Sequence, residues 1–169
     1  MTASSNETPE LPQRKDVRLK HYDYASPGVY FVTICTRGRE MLFGHVAEGC
    51  LIPTNYGAIA IQAIDGLSEH YQSVSVDCSV VMPNHVHLVL WIQSGNQARH
   101  TLGNVVRGFK SEVARKCGRS VWQRGYHEHI VRNEQDLREI QSYVANNPMK
   151  WELDRHNPEN EKYEMWRSE

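Results

Sequence analysis

A chain of 169 residues with 40% hydrophobic side chains suffices for one domain with a real core, since domains commonly hold about 50–250 residues. No run approaches the ~20 apolar residues of a membrane helix, so no membrane partner is expected. The net charge of −1 excludes a uniformly basic nucleic-acid binder and leaves the distribution of charge to be read along the chain.

The opening, MTASSNETPELPQ, is polar and lacks the apolar stretch of a secretory signal, which makes a cytoplasmic protein the default expectation. A basic arm follows, with Arg14, Lys15, Arg18 and Lys20, so that residues 1–22 read as a flexible N-terminal arm suited to phosphates. Residues 29 to 36, VYFVTICT, are β-branched, aromatic and nearly all apolar, the pattern of a central strand. Cys35 in this run, like Cys50, Cys78 and Cys117, belongs to no CxxC pair and reads as a free thiol. From residue 54, with Thr54 or Asn55 as the cap, Ile59, Ala60, Ala63, Ile64 and Leu67 recur at helical spacing to about residue 71.

Two strand-like runs come next, about 74–81 and 85–92. Side chains alternate faces along a strand. Val76, Cys78 and Val80 form the core face of the earlier run, and Val86, Leu88, Leu90 and Ile92 that of the later one. Matching those faces sets Val81 opposite His85 across a three-residue loop, Met82-Pro83-Asn84, and Ser79 opposite His87. Thr101 can cap a second long helix with an apolar stripe of Leu102, Val105, Val106, Phe109 and Val113. This stretch is basic: from Arg99 to Arg132 only Glu112 and Glu128 oppose eight Lys and Arg residues, of which Arg107 and Lys110 are candidate phosphate contacts. A fourth strand is expected from Tyr126 to Arg132. A third helix, from Glu134 to Asn146, would pack through Leu137, Ile140 and Val144. Residues 152–169 form an acidic tail.

The order β-α-β-β-α-β followed by a helix predicts an α+β domain over residues 23–151, with a four-stranded antiparallel sheet of ferredoxin or RNA-recognition-motif type. Two helices would cover one face, leaving the other open for function.

His85 and His87 stand at i and i+2 of one strand and so share a face, with Cα atoms ~6.5–7 Å apart, close enough for both rings to reach one divalent ion. The ordinary alternative is a pair of half-exposed strand histidines. Tyr143 and Asn147, four apart on a helix, also share a face, although Asn-Pro is a common helix stop and a helical tyrosine usually packs. Combined, the residues make chemical sense. A tyrosine with a pKa near ~10 needs activation, and an ion held by two histidines and the Asn147 amide would polarise a scissile phosphate. Attack by the phenol leaves a phosphotyrosine and a free hydroxyl, and the conserved ester energy permits rejoining.

With these residues in view, VVMPNHVHLVLW resembles the His-hydrophobic-His motif of HUH endonucleases, and SYVANNP resembles the tyrosine-helix motif of their single-tyrosine transposase branch. The resemblance extends over most of the chain to the REP-associated tyrosine transposases of bacteria. It implies His85, His87 and Asn147 as metal ligands, Tyr143 as the nucleophile, and Mg2+ or Mn2+ as the ion. It also implies single-stranded or hairpin DNA as substrate, a 5′-phosphotyrosine intermediate, and either a monomer or a homodimer. Two other readings remain. His127 and His129 form a second pair that could join the first in a metal phosphoesterase with no covalent step. A non-catalytic RNA-recognition-like module would instead stack bases on the sheet, with Trp91 available. A histidine-triad hydrolase is disfavoured because Val89 stands where its third histidine would be.

Overall fold

The computed structural model describes residues 27–93, 100–154 and 157. The basic arm with Arg14, Lys15, Arg18 and Lys20, and most of the acidic tail, lie outside the described residues. Four strands, β1 (Gly28–Cys35), β4 (Val74–Met82), β5 (His85–Ile92) and β6 (His127–Val131), form one antiparallel sheet in the order β4-β5-β1-β6. With α1 (Asn55–Asp65) and α3 (Leu102–Cys117) as the two crossovers, this is the expected ferredoxin-like arrangement. A short hairpin, β2 (Gly44–Ala47) and β3 (Cys50–Pro53), is added between β1 and α1. Its two-residue turn is Glu48-Gly49, with φ of 52° and 72°, the positive values that a hairpin matched to strand twist requires.

The helices follow local rules closely. Thr54 caps α1 by accepting the Gly57 amide, and Thr101 caps α3 by accepting that of Asn104. Leu102, Val105, Val106, Phe109 and Val113 of α3 are all buried, as their spacing demands. The expected single helix to residue 71 is instead two pieces, because Gly66 interrupts it before the short α2 (Leu67–His70). α1 and α3 cover one sheet face, where Tyr30, Val32, Ile34, Val86, Leu88, Leu90 and Ile92 build the main core.

The second face departs from expectation. It is roofed by α4 (Glu134–Asn146) and by a 3-10 turn, Pro148–Leu153, rather than left open. Val89, Ile140 and Val144 form a smaller apolar cluster beneath that roof, with Phe31, Cys78, Val80 and Leu137 against it.

The β4–β5 register is also corrected. Met82 pairs with His85, Val81 with Val86 and Val80 with His87, so the loop has two residues, Pro83-Asn84, not three. Ser79 faces Leu88, not His87. The reason is a β-bulge between Val76 and Cys78, where Asp77 is the additional residue. Before the bulge, Val74 and Val76 face the main core. After it the phase shifts, so Val81 takes the core side while Cys78 and Val80 join the smaller cluster. Regular alternation had assigned both to the main core.

Candidate active site

His85 and His87 lie on the roofed face and are 0% and 1% exposed, so the picture of half-exposed strand histidines does not hold. Strand alternation aims both imidazoles the same way, and their Nε2 atoms stand 3.1 Å apart. The far nitrogen of each ring is occupied. His85 Nδ1 lies 2.9 Å from Asn84 Oδ1, and His87 Nδ1 lies 2.8 Å from Thr33 Oγ1. Asn84 uses its amide nitrogen to donate to the Arg39 carbonyl, so the oxygen faces His85 and can only accept. His85 therefore carries its proton on Nδ1, and a neutral ring then has its lone pair on Nε2. The Thr33 hydroxyl can either donate or accept and so serves either tautomer of His87. Both Nε2 lone pairs can thus be offered to one ion, each ring oriented by a partner on its other nitrogen.

The roof supplies the remaining groups. Asn133 caps α4 by accepting the Asp136 amide. Ile140 and Val144 anchor the helix to the sheet. Tyr143, on the neighbouring stripe, is 40% exposed, and its hydroxyl lies 3.5 Å from His87 Nε2. Phe31 packs between the rings, 5.1 Å from His87 and 6.0 Å from Tyr143 by centroids. Asn147 keeps helical angles (φ −59°, ψ −45°) despite the proline that follows, so it stays one turn below Tyr143. It is 2% exposed, and its Oδ1 is buried without a hydrogen-bond partner. A buried amide oxygen is costly when left unpaired. Two imidazole nitrogens at 3.1 Å and an unpaired buried amide oxygen make a donor set that fits a hard-to-borderline divalent ion. Trp151 of the 3-10 turn closes the far side, 6.0 Å from the His85 ring.

A groove of about 600 Å³ opens beside the pair, lined by Phe31, His87, Tyr143, Lys150 and the carboxylates Asp136, Glu139 and Asp154. Hydrogen bonds from His129 and the Arg132 amide, the former the larger influence, hold the Asp136 carboxyl below its ordinary range.

The second histidine pair does not converge on the first. His127 and His129 share the same sheet face but sit on β6, with β1 between them and β5, so ~10 Å separates the rows. His129 is engaged with Asp136 at 2.9 Å. Trp91 is 40% exposed, and its indole N–H donates to Asp77.

Arg107 and Lys110 lie elsewhere. They line a second groove of about 640 Å³ between α3 and residues 120–126, together with Arg37 and Arg124. Lys110 Nζ donates to the carbonyls of Gln123 and Gly125, both at 2.9 Å, and burial lowers its pKa. It is therefore partly committed to holding that loop. Thr33, Asn84 and Phe31 were not singled out by sequence. The Asn-His step was in plain view, but only the strand pairing shows Thr33 beside His87.

This geometry can be set beside known proteins. No protein-family model matches the chain. An uncharacterized protein of Haemophilus influenzae is 36% identical over 85% of this chain and 93% of its own length. The REP-associated tyrosine transposase of Escherichia coli is 25% identical over 75% of this chain and 70% of its own. A REP-associated tyrosine transposase solved bound to a REP hairpin shares the fold, with a TM-score of 0.61 at 23% identity over 79% of this chain and 74% of that one. The chain is similar in sequence to REP-associated tyrosine transposases and shares the fold of one. Its ferredoxin-like sheet and C-terminal tyrosine helix are thus a transposase fold, and among the described residues no helix is long and apolar enough to cross a membrane.

Proposed function

We propose that this protein is a metal-dependent single-stranded DNA endonuclease and transposase that cleaves and rejoins DNA through a 5′-phosphotyrosine, with hairpin repeats as its substrate. The carrying observation is the approach of the Tyr143 hydroxyl to 3.5 Å from His87 Nε2, itself 3.1 Å from His85 Nε2. His85, His87 and Asn147 would hold Mg2+ or Mn2+, which when bound supplies Lewis-acid polarisation of the phosphate. Every other contribution is the chain's own. Asn84 and Thr33 orient the imidazoles. α4 presents the phenol at the groove, and Phe31 restricts its swing. The Tyr143 oxygen bonds to phosphorus as the P–O3′ bond breaks, and the phenol proton is made up on the released 3′ oxygen. The substrate class is supported by the relative whose structure holds a REP hairpin. Arg107 and the Arg37–Arg124 groove would contact phosphates away from the cut, as would Arg14, Lys15, Arg18 and Lys20 of the arm.

The test mixes the protein with a pool of hairpin-bearing single-stranded DNAs and Mn2+, followed by a denaturing gel. A covalent adduct is expected from wild type, and none from Tyr143→Phe or after EDTA. Cleavage without an adduct would point to water as the nucleophile. Binding that is indifferent to Tyr143→Phe and to metal, with no cleavage, would point to a non-catalytic module.

A further inference from the structure

We infer that Lys150 is a catalytic residue of the same site, its ammonium donating to a non-bridging oxygen of the phosphodiester as Tyr143 attacks it; this rests on the function proposed above. The argument begins with the geometry of the Asn-Pro junction. Asn147 ends α4 in helical conformation and at the same time begins the 3-10 turn Pro148–Leu153. In a 3-10 helix, residues i and i+3 eclipse. The Lys150 amide donates to the Asn147 carbonyl at 3.1 Å, which confirms that register. Tyr143, Asn147 and Lys150, at steps of four and three, therefore follow one side of a continuous roof. Tyr143 and Lys150 accordingly line the same groove, while Trp151 turns inward to the His85 ring.

Charge makes the second strand of the argument. The described lining of that groove contains three carboxylates, Asp136, Glu139 and Asp154, and Lys150 is its one Lys or Arg. A phosphodiester entering beside these acids meets like charge, so a cation at the point of reaction has a clear electrostatic task. Lys150 is nevertheless in no ion pair or side-chain hydrogen bond with any described residue, although acids line the same groove. That separates it from Lys110, whose ammonium is spent on two loop carbonyls. An exposed lysine with no side-chain partner among the described residues, aligned with the nucleophile, is placed to act on a bound anion.

The step balances without further reactants. The Tyr143 Oη–P bond forms as the P–O3′ bond breaks with its electron pair. The phenol proton is matched by the proton gained at the 3′ oxygen, and Lys150 stays protonated throughout. Its contribution grows as negative charge builds on the non-bridging oxygens, so it favours the transition state over bound substrate.

The experiment is single-turnover adduct formation with the hairpin DNA pool and Mn2+, comparing wild type, Lys150→Gln and Lys150→Arg, with melting curves to confirm folding. One preorganised electrostatic donor is commonly worth ~10²–10³ in rate. Lys150→Gln is expected to lower the maximal adduct rate about 10²-fold with half-saturating DNA little changed, and Lys150→Arg to restore most of it. An unchanged rate for Lys150→Gln, or a loss confined to DNA half-saturation, overturns the assignment. Should wild type form no adduct, the proposed function fails on its own account. The lysine is then judged by inorganic phosphate binding, followed by 31P NMR. Weaker binding by Lys150→Gln upholds the anion contact, and equal binding overturns it.

Discussion

Thr33 is a small residue with a specific task. Its hydroxyl lies in the sheet directly opposite His87 and is 3% exposed, so its bond to Nδ1 is shielded from water. Replacement by the near-isosteric valine would leave a buried Nδ1–H unpaired whenever Nε2 turns its lone pair to a metal. Partners of this kind are worth ~10–100-fold in metal affinity. Thr33→Val should therefore weaken Mn2+ binding about tenfold, measured by calorimetry or electron paramagnetic resonance without any DNA. Undiminished affinity would show that Thr33 only packs. The grouping of His85, His87, Tyr143 and Asn147 was legible at this scale, because His-x-His and Tyr-x-x-x-Asn are short-range patterns. Thr33 was hidden because its role arises from a partner 54 residues away.

At the scale of elements, the bulge at Asp77 explains why the β4 register defied simple alternation. Counting in twos fails wherever one strand carries an uncompensated residue. The bulge also brings Asp77 within reach of the roof: its carboxylate accepts from Trp91 at 3.2 Å and from Gln141 of α4 at 2.7 Å. Asp77→Ala should lose about 1 kcal/mol at most, the ordinary net value of such bonds, and selectively raise hydrogen exchange in the middle of α4. Uniform exchange changes across the sheet would contradict that latch. The start of α4 carries a pH signature. Asp136 has its folded pKa depressed, so its stabilisation is complete above the unfolded carboxylate value of ~3.9 and fades as pH falls through the lower folded value. Fraying of the first turn of α4 is thus expected only in strong acid. Amide shifts of Asp136 and Leu137 that move near neutrality would refute it. Two glycines make a further contrast. A Cβ at Gly57 would strike the Phe43 carbonyl, whereas one at Gly108 would meet only the outer end of the Tyr71 side chain. Gly57→Ala should cost about 1–3 kcal/mol or more and Gly108→Ala clearly less, by denaturant melting. The main core helices were readable because their apolar stripes recur over several turns. The β2–β3 hairpin was not, since eight strand residues around Glu48-Gly49 carry little periodic signal.

Over the whole molecule, opposite charges are sorted by location. Arg37, Arg107, Lys110 and Arg124 line one groove with no acid among its described lining, while three acids stand beside Lys150 in the groove at Tyr143. A net charge of −1 conceals this division. If the basic groove meets phosphates, Arg107→Ala with Arg124→Ala should flatten the dependence of log affinity on log salt by roughly 1.4 to 1.8, about 0.7–0.9 per phosphate contact. An unchanged slope would return those arginines to ordinary solvated charge.

The two apolar clusters have a kinetic consequence. The histidines belong to the central strand β5, whose reverse side is sealed by the large core, whereas Tyr143 rides on a helix held by two buried side chains of its own, Ile140 and Val144, and their neighbours. Protection against opening follows buried contact, so the two halves of the site belong to cooperative units of unequal strength. A modest perturbation would release Tyr143 and Asn147 together while leaving the imidazole pair intact. Under the proposed function such a protein would lose its chemistry and the Asn147 ligand in one step and keep only a weaker two-imidazole site, so that two transitions would appear along a denaturant series.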